Sequence, residues 1–440
     1  MTRILLTGTY NSHNKGDAAM ELVARDRIRA ELPDADVVIS SPFPALDAPF
    51  YAPSTVVFCS RRRLIRASLE LCAALLWRLL RAAGGRELPA LLPGAAMAAT
   101  RRATLVIDLS GDMLTESSGA HVAYSHFIPL LRAVILGTPF LLCAQSIGPF
   151  RLTRPLARFL LRRAAGITVR ERVSRDYLIS LGLEATLIEQ TADLAFLLEP
   201  APAERAREIM VDEGVPLDAT CLIGLSVSRL IEARYRKLNP RARSRDFAAL
   251  MAAVIDELAE REGAIVVLVP HVTGPSTAKD DRRIGREIRE LVSRPDVLRS
   301  LEGDYRPEEL KAVIAQCRAF VGARMHANMA ALASGLPTVA LAYSHKTHGI
   351  MAACGLSDFV LPIERLEEDT LLRLIRTALA RRDTVKTELA EKVDAQRRAA
   401  AANLTASSLL ALCAPGKEDP DPYGPDLQHV GKCRGSALRS

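Results

Sequence analysis

One handover recurs along this chain and limits its possible folds more than any other feature. A short apolar run ends in glycine or a polar residue, and a segment of helical spacing follows. The pattern stands at residues 4–7, 104–109, 140–144 and 167–169, and again at 221–227, 264–269 and 320–322, with further short runs at 37–40, 56–59 and 298–302. Short apolar runs that alternate with helices specify parallel strands buried on both faces. With 440 residues the chain is long for one core and fits two. Pro, Ala and Glu dominate at about 199–216, which reads as a linker, and the strand pattern restarts at 221. The expected architecture is α/β, with two Rossmann-like doubly wound domains, 1–200 and 217–365, facing a cleft. Residues 366–413 read as C-terminal helices, expected to cross back and brace the first domain, and 414–440 read as a disordered, proline-rich tail.

Hydrophobic residues at 49% and charged residues at 25% describe a globular chain. A formal charge of +7 suits an anionic substrate, an acidic membrane face or nucleic acid. Aromatic residues are only 5%, too few for base-stacking platforms, so no nucleic-acid partner is expected. None of the eight cysteines is spaced Cys-x-x-Cys, and several sit in apolar runs such as Leu142-Cys143-Ala144. Buried reduced thiols and a cytoplasmic location are expected from that. The first residues enter a strand directly, without the pattern of a signal peptide.

Residues 61–83 stand apart: Leu64, Ile65, Leu69, Leu71, Leu75, Leu76, Trp77, Leu79 and Leu80 make a broad apolar surface punctuated by Arg62, Arg63, Arg66, Arg78 and Arg81. One reading is an interfacial helix resting on anionic lipid, which would give peripheral membrane contact. The other is a long core helix whose arginines snorkel to solvent. The uninterrupted apolar run 71–77 is far short of the roughly 20 residues that span a bilayer, and the core helix is the favoured expectation.

Chemistry-bearing residues fall where strands hand over to helices. In residues 320–346 an apolar run ends at Gly322, Arg324, His326 and Asn328 follow, and an Ala-rich helix leads to Gly335-Leu336-Pro337 and a second strand at 338–343. Ligands of open parallel sheets bind at the carboxyl ends of the strands, and a helix N-terminus there favours an anion. After the first strand comes a polar loop, 8–17, with helical spacing from 18 to 32; only Gly8 and Gly16 are present, so the nicotinamide fingerprint is not met. Ser110-Gly111-Asp112, Gln145-Ser146-Ile147-Gly148-Pro149, Arg170-Glu171, Asp193, Arg229 and Pro270-His271 occupy equivalent ends. His345 and His348 have the spacing of a metal pair but lack an accompanying carboxylate or cysteine. They read as loop histidines, and His13, His121 and His126 are given no role.

Read together, Asn14-x-Gly16-Asp17-x-Ala19-Met20, Gln145-x-Ile147-Gly148-Pro149, Arg170-Glu171 with Ser174, Asp193-x-Ala195-Phe196, Arg324-x-His326, Gly335-x-Pro337 and Tyr343-x-x-Lys346 resemble the polysaccharide pyruvyl transferase family over roughly residues 4–360. The resemblance implies a GT-B-like fold and transfer of a pyruvyl group from phosphoenolpyruvate to a sugar, forming a ketal and releasing phosphate. The implied partners are phosphoenolpyruvate and a glycan or lipid-linked glycan acceptor, with no cofactor and no metal; the oligomeric state stays open. A donor that carries a carboxylate and a phosphate needs several cations, and Arg324, Lys346 and Arg229 are candidates; Asn14 and Gly16 join them as candidate substrate-binding residues, the other reading being that they only shape their turn. His326 is the candidate general acid, or stabiliser of departing phosphate, and Asp17 or Asp112 would position or deprotonate the acceptor hydroxyl. Ser110-Gly111-Asp112 replaces the family's glycine-rich run, and helix 61–83 and the tail are additions. A nucleotide-sugar glycosyltransferase of the same architecture, and a non-catalytic member that binds a glycan or a partner, are the alternatives.

Overall fold

A computed structural model describes residues 2–59, 64–82, 94–238, 246–343 and 345–413. Two parallel sheets organise them. The first is built from β1 (Arg3–Thr7), β2 (Asp36–Ser41), β3 (Thr55–Phe58), β4 (Leu105–Asp108), β5 (Phe140–Gln145), β6 (Gly166–Val169) and β7 (Ile188–Gln190), in the order β3-β2-β1-β4-β5-β6-β7. The second holds β8 (Leu222–Ser226), β9 (Ile265–Leu268), β10 (Leu298–Ser300), β11 (Ala319–Gly322), β12 (Thr338–Ala342) and β13 (Val360–Pro362), in the order β10-β9-β8-β11-β12-β13. Both orders are doubly wound, so each sheet reverses direction once, between β1 and β4 and between β8 and β11. The strands are apolar because helices cover both faces: Ile4, Leu6, Leu105 and Ile107 sit in one core cluster, while Leu5 and Val106 of the same strands sit in another. Periodicity did not reveal β7 and β13, which are three-residue edge strands too short to show a pattern.

The first helix departs from expectation. It runs Lys15–Glu31, so Gly16 and Asp17 lie in its first turn and not in a loop. Apolar spacing could not show this, because the start is set by a contact with the other sheet: Asn14 forms an antiparallel bridge with Val272, and the Lys15 amide donates to the His271 carbonyl at 2.8 Å. From that first turn the Asp17 carboxylate accepts the Tyr10 amide at 2.7 Å.

Helix Leu64–Ala82 corrects the core-helix expectation. Ala67, Leu71, Ala74 and Trp77 are buried, the first three packed with Met97 and Ile128, but Ile65, Leu69, Leu75, Leu76, Leu79 and Leu80 face solvent. Residues 61–63 and 83 of the expected helix lie outside the described residues, as does the tail 414–440. The described cysteines are free thiols, mostly buried, yet Cys72 is exposed on this helix, contrary to the expectation of buried thiols.

Helix Arg382–Ala401 returns the chain to the first sheet, where Leu404 and Leu409 join the core around Ile4 and Leu6. Asn403 secures the return. Its Oδ1 accepts the Thr168 and Thr191 hydroxyls, and its Nδ2 donates to the Ala192 and Ala400 carbonyls, each at 2.9 Å. Replacing Asn403 with Ala leaves buried hydroxyls and carbonyls without partners, a loss of about 2–3 kcal/mol. Urea denaturation of Asn403→Ala is expected to show that loss, and an unchanged midpoint would contradict this role.

Candidate active site in the interdomain cleft

The carboxyl ends of the two sheets face each other, and the loops there meet closely. Gly8 follows β1 with φ of +104°, and a Cβ on it would lie 2.6 Å from the Ser110 amide after β4. Only glycine lets these two loops stand side by side at the point where the sheet reverses. Across the cleft, a Cβ on Gly16 would lie 2.1 Å from Nδ1 of His326, so the bare glycine makes room for that ring. Two ion pairs join the sheets: Lys15 Nζ to Asp304 Oδ1 at 2.6 Å, and Lys346 Nζ to Asp112, at 3.0 Å to its carbonyl and 3.5 Å to its carboxylate.

Arg324 precedes helix Met325–Ala333 and is held from one side. Its Nε and Nη2 donate to Asp281 at 3.0 and 2.6 Å, and Asp281 also accepts the Val272 amide at 3.0 Å. That uses two of the five N–H groups of a guanidinium. Asn328 closes the turn by donating to the Gly322 carbonyl at 3.1 Å.

Beneath these groups lies a buried polar layer from the first sheet. Arg170, at the end of β6, donates through Nε to Ser146 at 2.8 Å and through Nη1 to Asp193. Glu171 accepts the hydroxyls of Ser146 and Ser174. His326 Nε2 stands 3.9 Å from Asp193 Oδ2. Two buried nitrogens in this layer, Arg170 Nη2 and His326 Nε2, have no hydrogen-bond partner among the described residues.

Burial sets the charge states. It pulls His326 below the usual histidine range; Arg170 and Arg324 add to that, while Asp193 and Asp112 oppose it, so the resting ring is neutral at pH 7. Burial likewise lowers Lys346 and Lys15 although each has an acidic partner. Partial burial acts to raise Asp112, but Lys346, Arg170 and His326 outweigh it and hold the carboxyl below its ordinary range. His271, just after β9, is pushed down to about 3 by burial, with the nearby His326, Arg324 and Lys15 adding to the effect against its contact with the Val269 carbonyl.

Arg324, His326, Lys346 and Asp112 are thus brought together. Asp17 lies at their edge, in electrostatic reach of Arg324. Asn14 and Gly16 contribute through the backbone, one as the bridge to Val272 and the other as the space under His326. Arg229 is not drawn in, since Glu232 and Glu287 hold its guanidinium rather than any acid of the cluster. His348 is exposed on helix His345–Ala353. Sequence reasoning gave no site role to Lys15, Ser146, Arg170, Asp193, His271, Asp281 or Asp304. Arg170 and Asp193 could have been found by the strand-end rule that found Arg324, whereas the partners of Lys15 and Arg324 lie 289 and 43 residues away.

Two Rossmann-like units that face each other through a cation-rich cleft define a GT-B-like protein. The chain matches the polysaccharide pyruvyl transferase family over residues 14–345, and it belongs to that family. The amylovoran biosynthesis protein AmsJ of Erwinia amylovora is 22% identical over 407 residues, covering 90% of this chain and 96% of AmsJ. Among solved structures, the UDP-GlcNAc 2-epimerase of Neisseria meningitidis bound to UDP-GlcNAc superposes with a TM-score of 0.60 at 12% identity, covering 93% of this chain and 100% of that one. Anabaena HepE in complex with UDP-glucose gives 0.54 at 14%, with 94% and 98% covered. At these identities the two structures share the fold.

The His271 ring yields a stability prediction. An unfolded chain protonates histidine near pH 6.5, whereas the folded protein resists down to about 3. The unfolded state therefore binds more protons in that window, and this contribution to stability is lost as pH falls from about 6.5 towards 3. His271→Asn is expected to flatten the curve there. Urea denaturation of both proteins at about pH 7 and about pH 4.5 checks it, and an equal drop in both would refute it.

Proposed function

We propose that this protein transfers a pyruvyl group from phosphoenolpyruvate to a sugar of a cell-surface polysaccharide or its precursor, forming a cyclic ketal and releasing phosphate. Family membership supports the reaction class. The observation that carries the donor assignment is the pair of buried, unpartnered nitrogens, Arg170 Nη2 and His326 Nε2, beside the cations Arg324 and Lys346. An unpartnered buried polar group costs about 1–3 kcal/mol, and an anion with several oxygens would relieve that cost. A donor of this kind also places the reaction in the cytoplasm.

In this reading Arg324 and Lys346 hold the carboxylate and the phosphate. The resting His326 is neutral, and an anion docked beside it favours the imidazolium, so the ring takes up a proton as the donor binds. It delivers that proton to the methylene carbon of phosphoenolpyruvate. Cationic character develops on the neighbouring carbon, where the first sugar hydroxyl attacks; the second hydroxyl then displaces phosphate from the same carbon. In balance, the two hydroxyl protons end on the new methyl group and on phosphate. Asp112, held low by Lys346, is a weak base, and it orients the acceptor hydroxyl together with Asp17.

Calorimetric titration with phosphoenolpyruvate in buffers of different ionisation enthalpy tests this. Wild-type protein is expected to bind with net proton uptake, and His326→Asn to bind without it and to form no ketal. Arg324→Ala would leave Asp281 buried and unpaired, so Arg324→Lys is the cleaner variant; it should weaken binding about tenfold or more, because an ammonium cannot hold both partners bidentately. Heat with UDP and none with phosphoenolpyruvate would overturn the reading in favour of a nucleotide-sugar glycosyltransferase, and silence with both in favour of a non-catalytic member.

A further inference from the structure

We propose that the outward face of helix Leu64–Ala82 seats the protein on an anionic lipid bilayer, lying in the plane of the headgroups. The inference is independent of the reaction proposed above. The helix has two apolar faces on opposite sides. Ala67, Leu71, Ala74 and Trp77 point inward, while Ile65, Leu69, Leu76 and Leu79 recur at spacings of four, seven and three and point away from the protein, with Leu75 and Leu80 flanking them. Ile65 is 83% exposed, Leu69 65% and Leu79 59%. Scattered single apolar residues on a surface are ordinary, but six large ones on a single helix face are not. No helix among the described residues is long and apolar enough to cross a membrane, so this face would lie on a bilayer and not pass through it.

Charge decides the occupant. Residues 61–102 contain nine arginines and two glutamates, a net +7, which is the formal charge of the whole chain, so the remaining residues balance to zero. The helix itself carries a single acid, Glu70, buried and paired with Arg66 at 3.1 Å. Its arginines are held along the protein-facing flanks. Arg78 donates to the Val134 and Ile135 carbonyls, and Arg81 lies over the Trp77 ring at 5.5 Å, where Arg101 of helix Ala95–Arg102 joins it at 5.0 Å. An apolar face within a stretch of net +7 matches a surface that is apolar below and negative at its rim, which is an anionic bilayer. A second copy of this chain would bring two such +7 segments together and be repelled. Residues 414–440 contain no apolar run that could cover the face.

The test is cosedimentation of the full chain with phosphatidylcholine vesicles, with and without about 30% phosphatidylglycerol. Binding to the anionic vesicles, at least about tenfold weaker to the neutral ones and weakened by salt, is expected. A variant with Ile65→Ser, Leu69→Ser, Leu76→Ser and Leu79→Ser changes only exposed positions, so it should fold as wild type and lose at least about tenfold in vesicle binding. An environment-sensitive fluorophore on the exposed Cys72, with Cys413→Ser and Cys433→Ser, should shift to the blue on anionic vesicles. No vesicle binding by wild type, or binding that the four serines leave unchanged, would overturn the proposal. So would light scattering that shows a dimer which those substitutions split.

Discussion

The ion pairs from Lys346 to Asp112 and from Lys15 to Asp304 join the two sheets by their carboxyl ends, and the rest of the site depends on them. Each lysine is buried, and burial alone would favour its neutral form; an acid from the opposite sheet opposes that. Removing one partner of such a pair leaves a charge with nothing to compensate it, so the two units have an electrostatic reason to meet in one register. The backbone reinforces that register. Asn14 bridges Val272, and the first turn of helix Lys15–Glu31 begins where that bridge ends. Gly16 brings the same turn against His326 with no side chain between them.

With the two ends held together, groups that are ordinary alone acquire unusual charge states. His326 stays neutral because burial and two arginines outweigh two carboxylates, and Asp112 stays ionised because Lys346 and Arg170 outweigh its burial. The cluster thus separates a neutral ring, able to take and give a proton, from an acid that can only accept hydrogen bonds. Arg170 ties β6 to Ser146 and Asp193, and it keeps one buried nitrogen without a partner among the described residues. A layer of this kind is expensive to bury, which fits a site that binds an anion better than it fits a scaffold.

Charge is distributed with equal economy elsewhere. Outside residues 61–102 the chain is neutral overall, and that stretch combines nine arginines with a helix that is apolar on both sides. A pattern of that width reads as a core helix when only the sequence is considered, because a list of leucines does not say which of them have neighbours. Packing against helix Ala120–Leu136 covers one side and leaves the other open.

By itself the sequence determined the two doubly wound sheets, most strand positions and the strand-end placing of Arg324, His326, Lys346 and Asp112, because buried parallel strands impose local apolar runs and glycine turns that can be read residue by residue. The family motifs were legible for the same reason, being short and tied to those turns. The tertiary structure alone decided which of those ends touch. The early start of helix Lys15–Glu31, the capture of Arg324 by Asp281, the diversion of Arg229 to Glu287, and the neutral state of His326 all depend on partners far away in the chain. Ion pairing and desolvation are set by distance in space, and periodicity along a sequence carries no record of that distance.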